Sequence, residues 1–268
     1  MSTLPFKSTD KSDIHTFLGA FIPIGLNEMD EVILMNRVEI KYVFSVKKLP
    51  ELLNYLSEFY KVLEIDMIRS FPYHNTYLDT CDDLFYTEQV RGKLNRHKVR
   101  YRRYESTGQS FLEIKKRTNK NRTVKWRIEN KLITDCPDEN ALAFIQKHSP
   151  YSTLDLRSVL INGFTRITLV ETELKERITL DYNLSFSSPG GKNAGLPFLA
   201  IAELKRERHS GQSPFGIIMK QIGVHPNGFS KYCMGSVLTR EVPRKNTLKP
   251  NILLINKIEN EYNKSTAT

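Results

Sequence analysis

Residues 98–104 read KVRYRRY, and this stretch decides the fold. Its side chains alternate, so that Arg100 and Arg102 fall on one face of a β-strand while Val99 and Tyr101 fall on the other. Residues 37–44, RVEIKYVF, alternate in the same way. Two strands of this kind predict a sheet with one apolar face and one face rich in charge.

The rest of the chain supplies more strands of similar length, with helices between them. Strands are predicted at residues 73–80, 110–116, 123–129, 164–172, 176–182 and 199–207. Helices are predicted at residues 14–18, 49–60, 84–90, 138–148, 151–161 and 214–222. Strands joined by short turns favour antiparallel pairing, and eight of them are enough to close a barrel. We therefore predict an α+β fold, a closed eight-stranded antiparallel β-barrel with flanking helices.

This barrel is predicted to occupy residues 36–240 as one domain. Residues 1–35 carry no clear pattern, and we expect them to form an N-terminal arm packed on the main fold. Residues 241–268 are expected to form a C-terminal tail.

The composition indicates a protein that binds an anion. Lys and Arg number 40 against 30 Asp and Glu, which gives a net charge of +10. Such an excess favours nucleic acid, an anionic membrane surface or a phosphorylated small molecule. Three cysteines without zinc spacing are typical of a reducing compartment. The longest apolar stretch, residues 17–26, is far shorter than the ~20 residues of a membrane helix. We therefore expect a cytoplasmic protein without a membrane span.

The polar faces of the predicted strands are unusual because long charged side chains recur on them at every second position. The pairs are Arg100 and Arg102, Glu113 and Lys115, Lys125 and Arg127, Arg177 and Asp181, and Glu203 and Lys205. For any single strand, a solvated face is the ordinary explanation. Recurrence over many strands predicts instead that the bases line an enclosed surface and bind an anion such as a triphosphate. Carboxylates among those bases are then explained as ligands of Mg²⁺ or Mn²⁺.

Several short motifs, taken in their order, resemble a known family. They are RVEIKY (residues 37–42), YLDT (77–80), VRYRRY (99–104), LEIKKR (112–117), ERITLDYNL (176–184), AELK (202–205) and SKY (230–232). Together they resemble the vacuolar transporter chaperone (VTC) domain, the polyphosphate polymerase branch of the triphosphate tunnel metalloenzymes. The resemblance runs from about Arg37 to Gly235.

The resemblance implies an enzyme that moves the γ-phosphate of ATP to phosphate or polyphosphate inside a basic tunnel, with Mn²⁺ or Mg²⁺. Carried over to this sequence, it implies that Lys41, Arg100, Arg102 and Lys205 are catalytic. It implies phosphate binding by Lys115, Lys125, Arg127, Arg166, Arg177, Ser230 and Lys231. It implies Glu203 as the main metal ligand, with Glu39 and Glu113 as candidates for a second carboxylate.

The first strand departs from the wider superfamily, whose hydrolases and cyclases typically begin with ExExK. Here the pattern is Arg37-x-Glu39-x-Lys41, so that a base replaces one carboxylate. Fewer carboxylates fit a polymerase better than a two-metal hydrolase. The expected partners are ATP, inorganic phosphate and polyphosphate.

Other functions stay open at this point. The nearest alternative is a metal-dependent inorganic or nucleoside triphosphatase, and the next is a non-catalytic module that binds polyphosphate. An RNA-binding barrel is a further alternative. We do not expect nucleic acid, because Glu113 and Glu203 share their faces with the bases.

Overall fold

The computed structural model describes residues 11–31, 37–120, 122–130, 133, 135–150, 156–208 and 211–264. Its strands are β1 (Pro23–Ile24), β2 (Arg37–Ser45), β3 (Lys61–Leu63), β4 (Phe71–Asp79), β5 (Arg96–Tyr104), β6 (Ser110–Arg117), β7 (Thr123–Glu129), β8 (Arg157–Glu171), β9 (Glu176–Ser187), β10 (Asn193–Leu196) and β11 (Leu199–Glu207). Its helices are α1 (Lys11–Gly19), α2 (Leu26–Glu31), α3 (Leu49–Leu56), α4 (Leu84–Val90), α5 (Glu139–His148), α6 (Pro214–Gln221), α7 (Lys231–Thr239) and α8 (Lys249–Lys264). Short 3₁₀ helices cover Val46–Lys48 and Lys245–Leu248.

The strands form one large sheet that is open. Its main path runs β2-β11-β9-β8-β4-β5-β6-β7, and every neighbouring pair along that path is antiparallel. Strands β2 and β7 end the path, and within the described ranges no pairing joins them. The predicted closed eight-stranded barrel is therefore wrong, although the predicted antiparallel order of strands and the flanking helices are present.

The two ends of the path show why the sheet does not close. At the free edge of β2, the Asn227 N–H donates to the carbonyl oxygen of Lys41 at 2.7 Å, and Pro226 bridges to Tyr42. A loop thus occupies the backbone groups that a closing strand would need. At the other end, β7 is largely exposed and carries Lys125 and Arg127, as edge strands that avoid further pairing commonly do.

Most of the predicted elements are confirmed, and two strands, Thr123–Glu129 and Leu199–Glu207, match residue for residue. The predicted helix at 151–161 is wrong, because β8 already begins at Arg157; residues 151–155 lie outside the described ranges. Strand β8 lies between β4 and β9, and Ser158–Leu160 are buried. A central strand covered on both faces lacks strict alternation, and its apolar run is easily mistaken for a helix.

Helices cover the apolar face of the sheet. Helices α1, α3 and α6 pack on the side of β8, β9 and β11 that carries Ile167, Leu180 and Leu204. Helices α4 and α5 cover the same side of β5 and β6 through residues such as Phe85 and Ile145. The opposite, concave side of the sheet is left for the charged residues. None of the described helices is both long and apolar enough to cross a membrane.

The first and last helices of the described ranges, α1 and α8, also pack on the main fold. From the segment predicted as an arm, Ile14 and Leu18 of α1 are buried, whereas residues 1–10 and 32–36 lie outside the described ranges. From the segment predicted as a tail, Ile255 and Ile258 of α8 are buried in a cluster shared with α7. Helix α7 enters the concave side, where the Tyr232 ring stacks on Tyr77 of β4 at 4.9 Å.

Gly235 is the position that allows α7 to approach the sheet. A Cβ atom there would lie 2.4 Å from Cδ1 of Phe186 and 2.8 Å from Cδ2 of Leu160, both buried. We predict that Gly235→Ala lowers the free energy of unfolding by about 2 kcal/mol, because overpacking forces the helix away from the sheet. Urea unfolding measures this value.

The matched control is Gly228→Ala, since nothing lies within 4 Å of a Cβ atom at that position. An unfolding free energy for Gly235→Ala equal to that of the control would show that the close approach of α7 does not constrain the fold.

Candidate functional site

Alternate side chains of seven strands point to the concave side of the sheet and form what we call the charged face. Cross-strand partners define it: Lys41 lies opposite Glu203, Lys205 opposite Arg177, and Arg100 opposite Glu113. Its bases are Lys41, Lys98, Arg100, Arg102, Lys115, Lys125, Arg127, Arg166, Arg177, Lys205 and, from α7, Lys231. Its carboxylates are Glu39, Glu113, Asp181 and Glu203, together with Glu129 and Glu207 at the ends of β7 and β11. The bases outnumber the carboxylates, so the face is strongly positive.

Glu203 is the centre of the first cluster on this face. Its two carboxylate oxygens contact the ammonium groups of Lys41 and, at 2.7 Å, Lys205. Burial acts to raise the pKa of Glu203, but Lys205 and Lys41 outweigh burial and hold that pKa well below its usual range. Glu203 is therefore ionised at neutral pH, and two of the predicted catalytic bases are held beside it.

Glu113 is the centre of the second cluster and is almost fully buried. The Arg100 guanidinium donates to its Oε2 at 2.6 and 2.9 Å, and the Lys125 ammonium lies 2.5 Å from Oε1. Arg102 lies 3.8 Å away and also donates to Asn75 at 3.0 Å. Although burial acts to raise the pKa of Glu113, the surrounding bases lower it far below its usual value. Because three bases surround it, Glu113 is placed to orient Arg100 and Arg102.

Asp181 is the centre of a third cluster; sequence analysis placed Asp181 on a charged strand face but did not predict its contacts with Arg166 and Lys231. The Arg166 guanidinium donates to both of its carboxylate oxygens, at 2.6 and 2.8 Å, and Lys231 lies 2.5 Å away. Burial acts to raise the pKa of Asp181, but Arg166 and Lys231 lower it to about 2. The alternation of β9 places Asp181 on the same face as Arg177, which was the available signal; its partners come from β8 and α7 and are distant in sequence.

Lys98 and Lys115 lack such a carboxylate partner. They lie directly opposite each other on β5 and β6. Lys98 donates to the hydroxyl of Ser230, the N-cap residue of α7, at 3.3 Å. For Lys115, no hydrogen bond or ion pair is found with any of the described residues. Burial lowers the pKa of both lysines, and for Lys115 the neighbouring Arg100 and Arg102 lower it further.

Lys98 was also missed by sequence reasoning, although it has the same strand parity as Arg100 and Arg102. Ser230 and Lys231 lie in this part of the face because α7 begins here. The N-terminal end of a helix favours anions. Buried bases with no carboxylate partner, next to that helix end, form the most strongly anion-binding part of the site.

Other predicted site residues lie at the margins of the charged face. Arg177 donates to the carbonyl oxygen of Met29 at 2.9 Å, which ties it to α2. Arg127 is exposed on β7, with its guanidinium 5.0 Å from the Phe111 ring centroid. Glu39 is exposed and lies 3.8 Å from Lys41. Lys125 also lies on β7, and its ammonium group contacts the carboxylate of Glu113.

Helix α7 joins strands that are not neighbours in the sheet. Strands β5 and β9 are three positions apart in the sheet order, which is about 14 Å on a flat sheet. Lys98 of β5 donates to Ser230 at 3.3 Å, and the adjacent Lys231 lies 2.5 Å from Asp181 of β9. The start of α7 therefore brings the clusters of β5 and β9 around one space on the concave side of the sheet.

The carboxylates of this face suit a hard cation only together with phosphate oxygens. Among the described residues, no group of three or more His, Cys, Asp or Glu side chains could hold a metal ion by itself. Mg²⁺ and its relatives are commonly bound by one or two carboxylates together with substrate phosphates. Ionised Glu203 fits that arrangement, with Glu39 on the neighbouring strand. Glu113 fits it poorly because its side chain is almost fully buried among three bases, whereas the side chain of Glu203 is partly exposed.

Replacement of Lys115 tests whether the face carries uncompensated charge. We predict that Lys115→Met raises the free energy of unfolding of the ligand-free protein by about 1 kcal/mol at pH 7, because it removes a partly buried ammonium to which the described residues offer no ion-pair partner. The folded protein releases the Lys115 proton more readily than the unfolded chain, whose lysine pKa is 10.5. The wild type should therefore gain stability relative to the variant as the pH rises toward 10.5.

Chemical denaturation at several pH values measures both effects, and Lys116→Met is the control because that side chain points to the other face. A Lys115→Met protein that is less stable than wild type at pH 7 would show that Lys115 supports the fold and is not held there for a ligand.

Comparison with known proteins relates this geometry to a family. Among solved structures, the chain is similar to a candidate adenylate cyclase from Vibrio parahaemolyticus, at 14% identity and a TM-score of 0.46, over 75% of this chain and 99% of that one. It is also similar to a candidate adenylyl cyclase from Hippeastrum described as having a dominant triphosphatase activity, at 15% identity and a TM-score of 0.46, over 78% and 98% of the two chains. A third is the PH1819 protein of Pyrococcus horikoshii, at 15% identity and a TM-score of 0.43, over 75% and 98%.

No curated protein matches the chain. The model of the VTC domain family matches residues 36–239, which include every strand of the main path and all of the charged face. This match covers more than half of the chain, and the chain therefore belongs to the VTC domain family.

Proposed function

We propose that this protein is a phosphotransferase of the polyphosphate polymerase kind. It would move the γ-phosphate of ATP to inorganic phosphate or to the end of a polyphosphate chain, with a divalent metal ion such as Mn²⁺ or Mg²⁺. Membership of the VTC domain family supports the handling of triphosphate or polyphosphate on the charged face.

One observation carries the proposal. Lys98 and Lys115 lie opposite each other, are partly buried and have no carboxylate partner among the described residues. A buried charge without a partner is expensive, and proteins retain such groups mainly where a ligand completes them. The required ligand carries several negative charges on oxygen, which is the chemistry of linked phosphates.

The bases of the charged face have distinct roles in the proposed reaction. Arg100 and Arg102, oriented by Glu113 and Asn75, present planar donors to the non-bridging phosphate oxygens. Lys41 and Lys205 would neutralise charge on the transferred phosphoryl group. Phosphoryl transfer depends mainly on such positioning and charge stabilisation, because its transition state is loose and rich in negative charge.

A second group of residues holds the far part of the phosphate chain. Arg166 and Lys231, oriented by Asp181, and the hydroxyl of Ser230 at the start of α7 lie next to Lys98. Lys115, Lys125, Arg127 and Arg177 extend the same positive surface toward its margins. A phosphate acceptor is already nucleophilic, so the reaction needs no general base from the protein.

Glu203, with Glu39 beside it, would hold the divalent ion together with phosphate oxygens. When bound, the ion would supply positive charge that offsets the negative charge of the phosphates. In the ligand-free protein both oxygens of Glu203 contact lysines. Lys41 and Lys205 must therefore turn from the carboxylate toward the phosphates when the substrate arrives.

The test is incubation of the purified protein with ATP and Mn²⁺, followed by a gel that resolves polyphosphate chains. We predict a ladder of polyphosphate that requires the metal and disappears with a chelator. Glu203→Gln should lower the rate about a hundredfold or more, because it removes the charge that holds the ion.

Glu51→Gln, an exposed glutamate on α3, is the control and should leave the rate unchanged. Free phosphate without a ladder, lost in Glu203→Gln, would identify a triphosphatase instead. Tight binding of polyphosphate without any turnover would show that the protein is a non-catalytic binding module.

A further inference from the structure

A small cavity lies outside the charged face, where β4 and β9 end and β8 begins. It has a volume of about 230 Å³, and its lining includes Cys81, Asp83, Arg157, Ser158 and Arg240. The cavity is larger than one water molecule needs, and it is smaller than the roughly 300–1,000 Å³ of pockets that hold drug-sized ligands. It therefore suits a small ligand.

Ser158 lies in the cavity lining next to a bulge in β8. The pairing of β4 with β8 shifts register after Tyr77, so that Val159 has no residue opposite it. Ser158 is 5% exposed, yet its hydroxyl has no hydrogen-bond partner among the described residues. Bulges commonly re-aim side chains beside functional sites. Because buried hydroxyls are normally paired, this one indicates a bound group that completes it.

Two arginines give the cavity a positive charge. The terminal nitrogens of Arg240 donate to the Asp83 carboxylate at 2.7 and 2.9 Å, which fixes the guanidinium. The Nε atom of Arg240 is buried and has no acceptor among the described residues. Arg157 is exposed, and its side chain forms no hydrogen bond or ion pair within the described part of the chain. Two guanidinium groups thus face one carboxylate, and the balance is positive.

The donors of this cavity suit an oxyanion with several oxygens. Guanidinium groups bind phosphates and carboxylates through charge-assisted hydrogen bonds. The donors that lack acceptors belong to three separate residues, Arg157, Ser158 and Arg240. A phosphate monoester offers three strong acceptor oxygens, whereas a carboxylate offers two. A phosphate group therefore matches the three donors better.

The length of helix α7 separates the cavity from the charged face. The helix begins at Lys231, which contacts Asp181 of that face, and ends just before Arg240. Its nine residues make a helix about 14 Å long. The cavity is therefore a second site and not a part of the first.

We propose that this cavity binds a single phosphate group, either free phosphate or the phosphate of a small monoester. Arg157 and the Nε of Arg240 donate to its oxygens, and the Ser158 hydroxyl donates to a third. This inference goes beyond the proposed function, and it does not depend on phosphoryl transfer at the charged face.

Cys81 provides a reporter for this site alone, because it is exposed and lines the cavity. The experiment measures the rate at which an alkylating reagent modifies Cys81 in the full chain, by mass spectrometry of its peptides. Inorganic phosphate is raised at constant ionic strength, with glycerol phosphate and acetate in parallel series. Phosphate at about ten times its dissociation constant should slow the modification of Cys81 about tenfold, by mass action. Protection by glycerol phosphate as well would show that the site also accepts a monoester.

Two variants of the cavity test the assigned donors. Arg157→Gln should raise the phosphate concentration needed for protection about tenfold, because it removes a charge-assisted hydrogen bond. Ser158→Ala should also weaken the protection. Its stability should not fall, since the hydroxyl has no partner among the described residues.

Arg122→Gln is the matched control, because it removes one exposed arginine elsewhere on the surface. Lys115→Met is a second control, because it changes the charged face only. Both should leave the protection of Cys81 unchanged.

Modification of Cys81 at the same rate with and without phosphate would overturn the proposal. Full protection in Arg157→Gln, or equal protection by acetate, would overturn it as well. Loss of protection in Lys115→Met would place the phosphate on the charged face instead. Because the readout is alkylation of Cys81 without turnover, this test and the polymerase assay fail independently.

Discussion

Repulsion among buried bases is the constraint on which the rest of this structure depends. Arg102 is buried and Lys98 is partly buried, and a charge removed from water loses several kcal/mol of hydration. Glu113, Asp181 and Glu203 recover part of that loss by pairing with two or three bases each. The pairing is incomplete, since Lys115 has no carboxylate of its own among the described residues. The ligand-free protein is therefore held in a state that a multivalent anion stabilises.

Apolar packing on the opposite side of the sheet keeps this arrangement in place. Side chains that alternate with the bases, such as Ile114, Leu180 and Leu204, are fully or almost fully buried under helices. Their burial stabilises the fold enough to tolerate the repulsion on the concave side. Helix α7 contributes both to the apolar packing and to the charged face. Its residues Tyr232 and Cys233 belong to an apolar cluster, while Ser230 and Lys231 contact residues of the charged face.

Strict alternation was the most informative signal in the sequence. It predicted β5, β6, β7 and β11 together with the face on which Arg100, Lys115 and Glu203 lie. The closed barrel that we predicted from eight such strands is wrong, because pairing between end strands depends on which backbone groups remain free, and Asn227 occupies one at the edge of β2. Strand β8 was misassigned at its start because it is buried on both faces. The partnership of Asp181 with Arg166 and Lys231 depends on contacts across 15 and 50 residues of sequence, which no local pattern contains.

The central claim is that the charged face exists to bind linked phosphates, and a crystal structure with a non-hydrolysable ATP analogue and Mn²⁺ tests it most directly. The account predicts the triphosphate on the concave side of the sheet, with Lys115 within hydrogen-bond distance of a phosphate oxygen and Lys41 turned from Glu203 toward the phosphates. A nucleotide bound elsewhere, with Lys115 still unpaired and Glu203 still contacting both lysines, would contradict it.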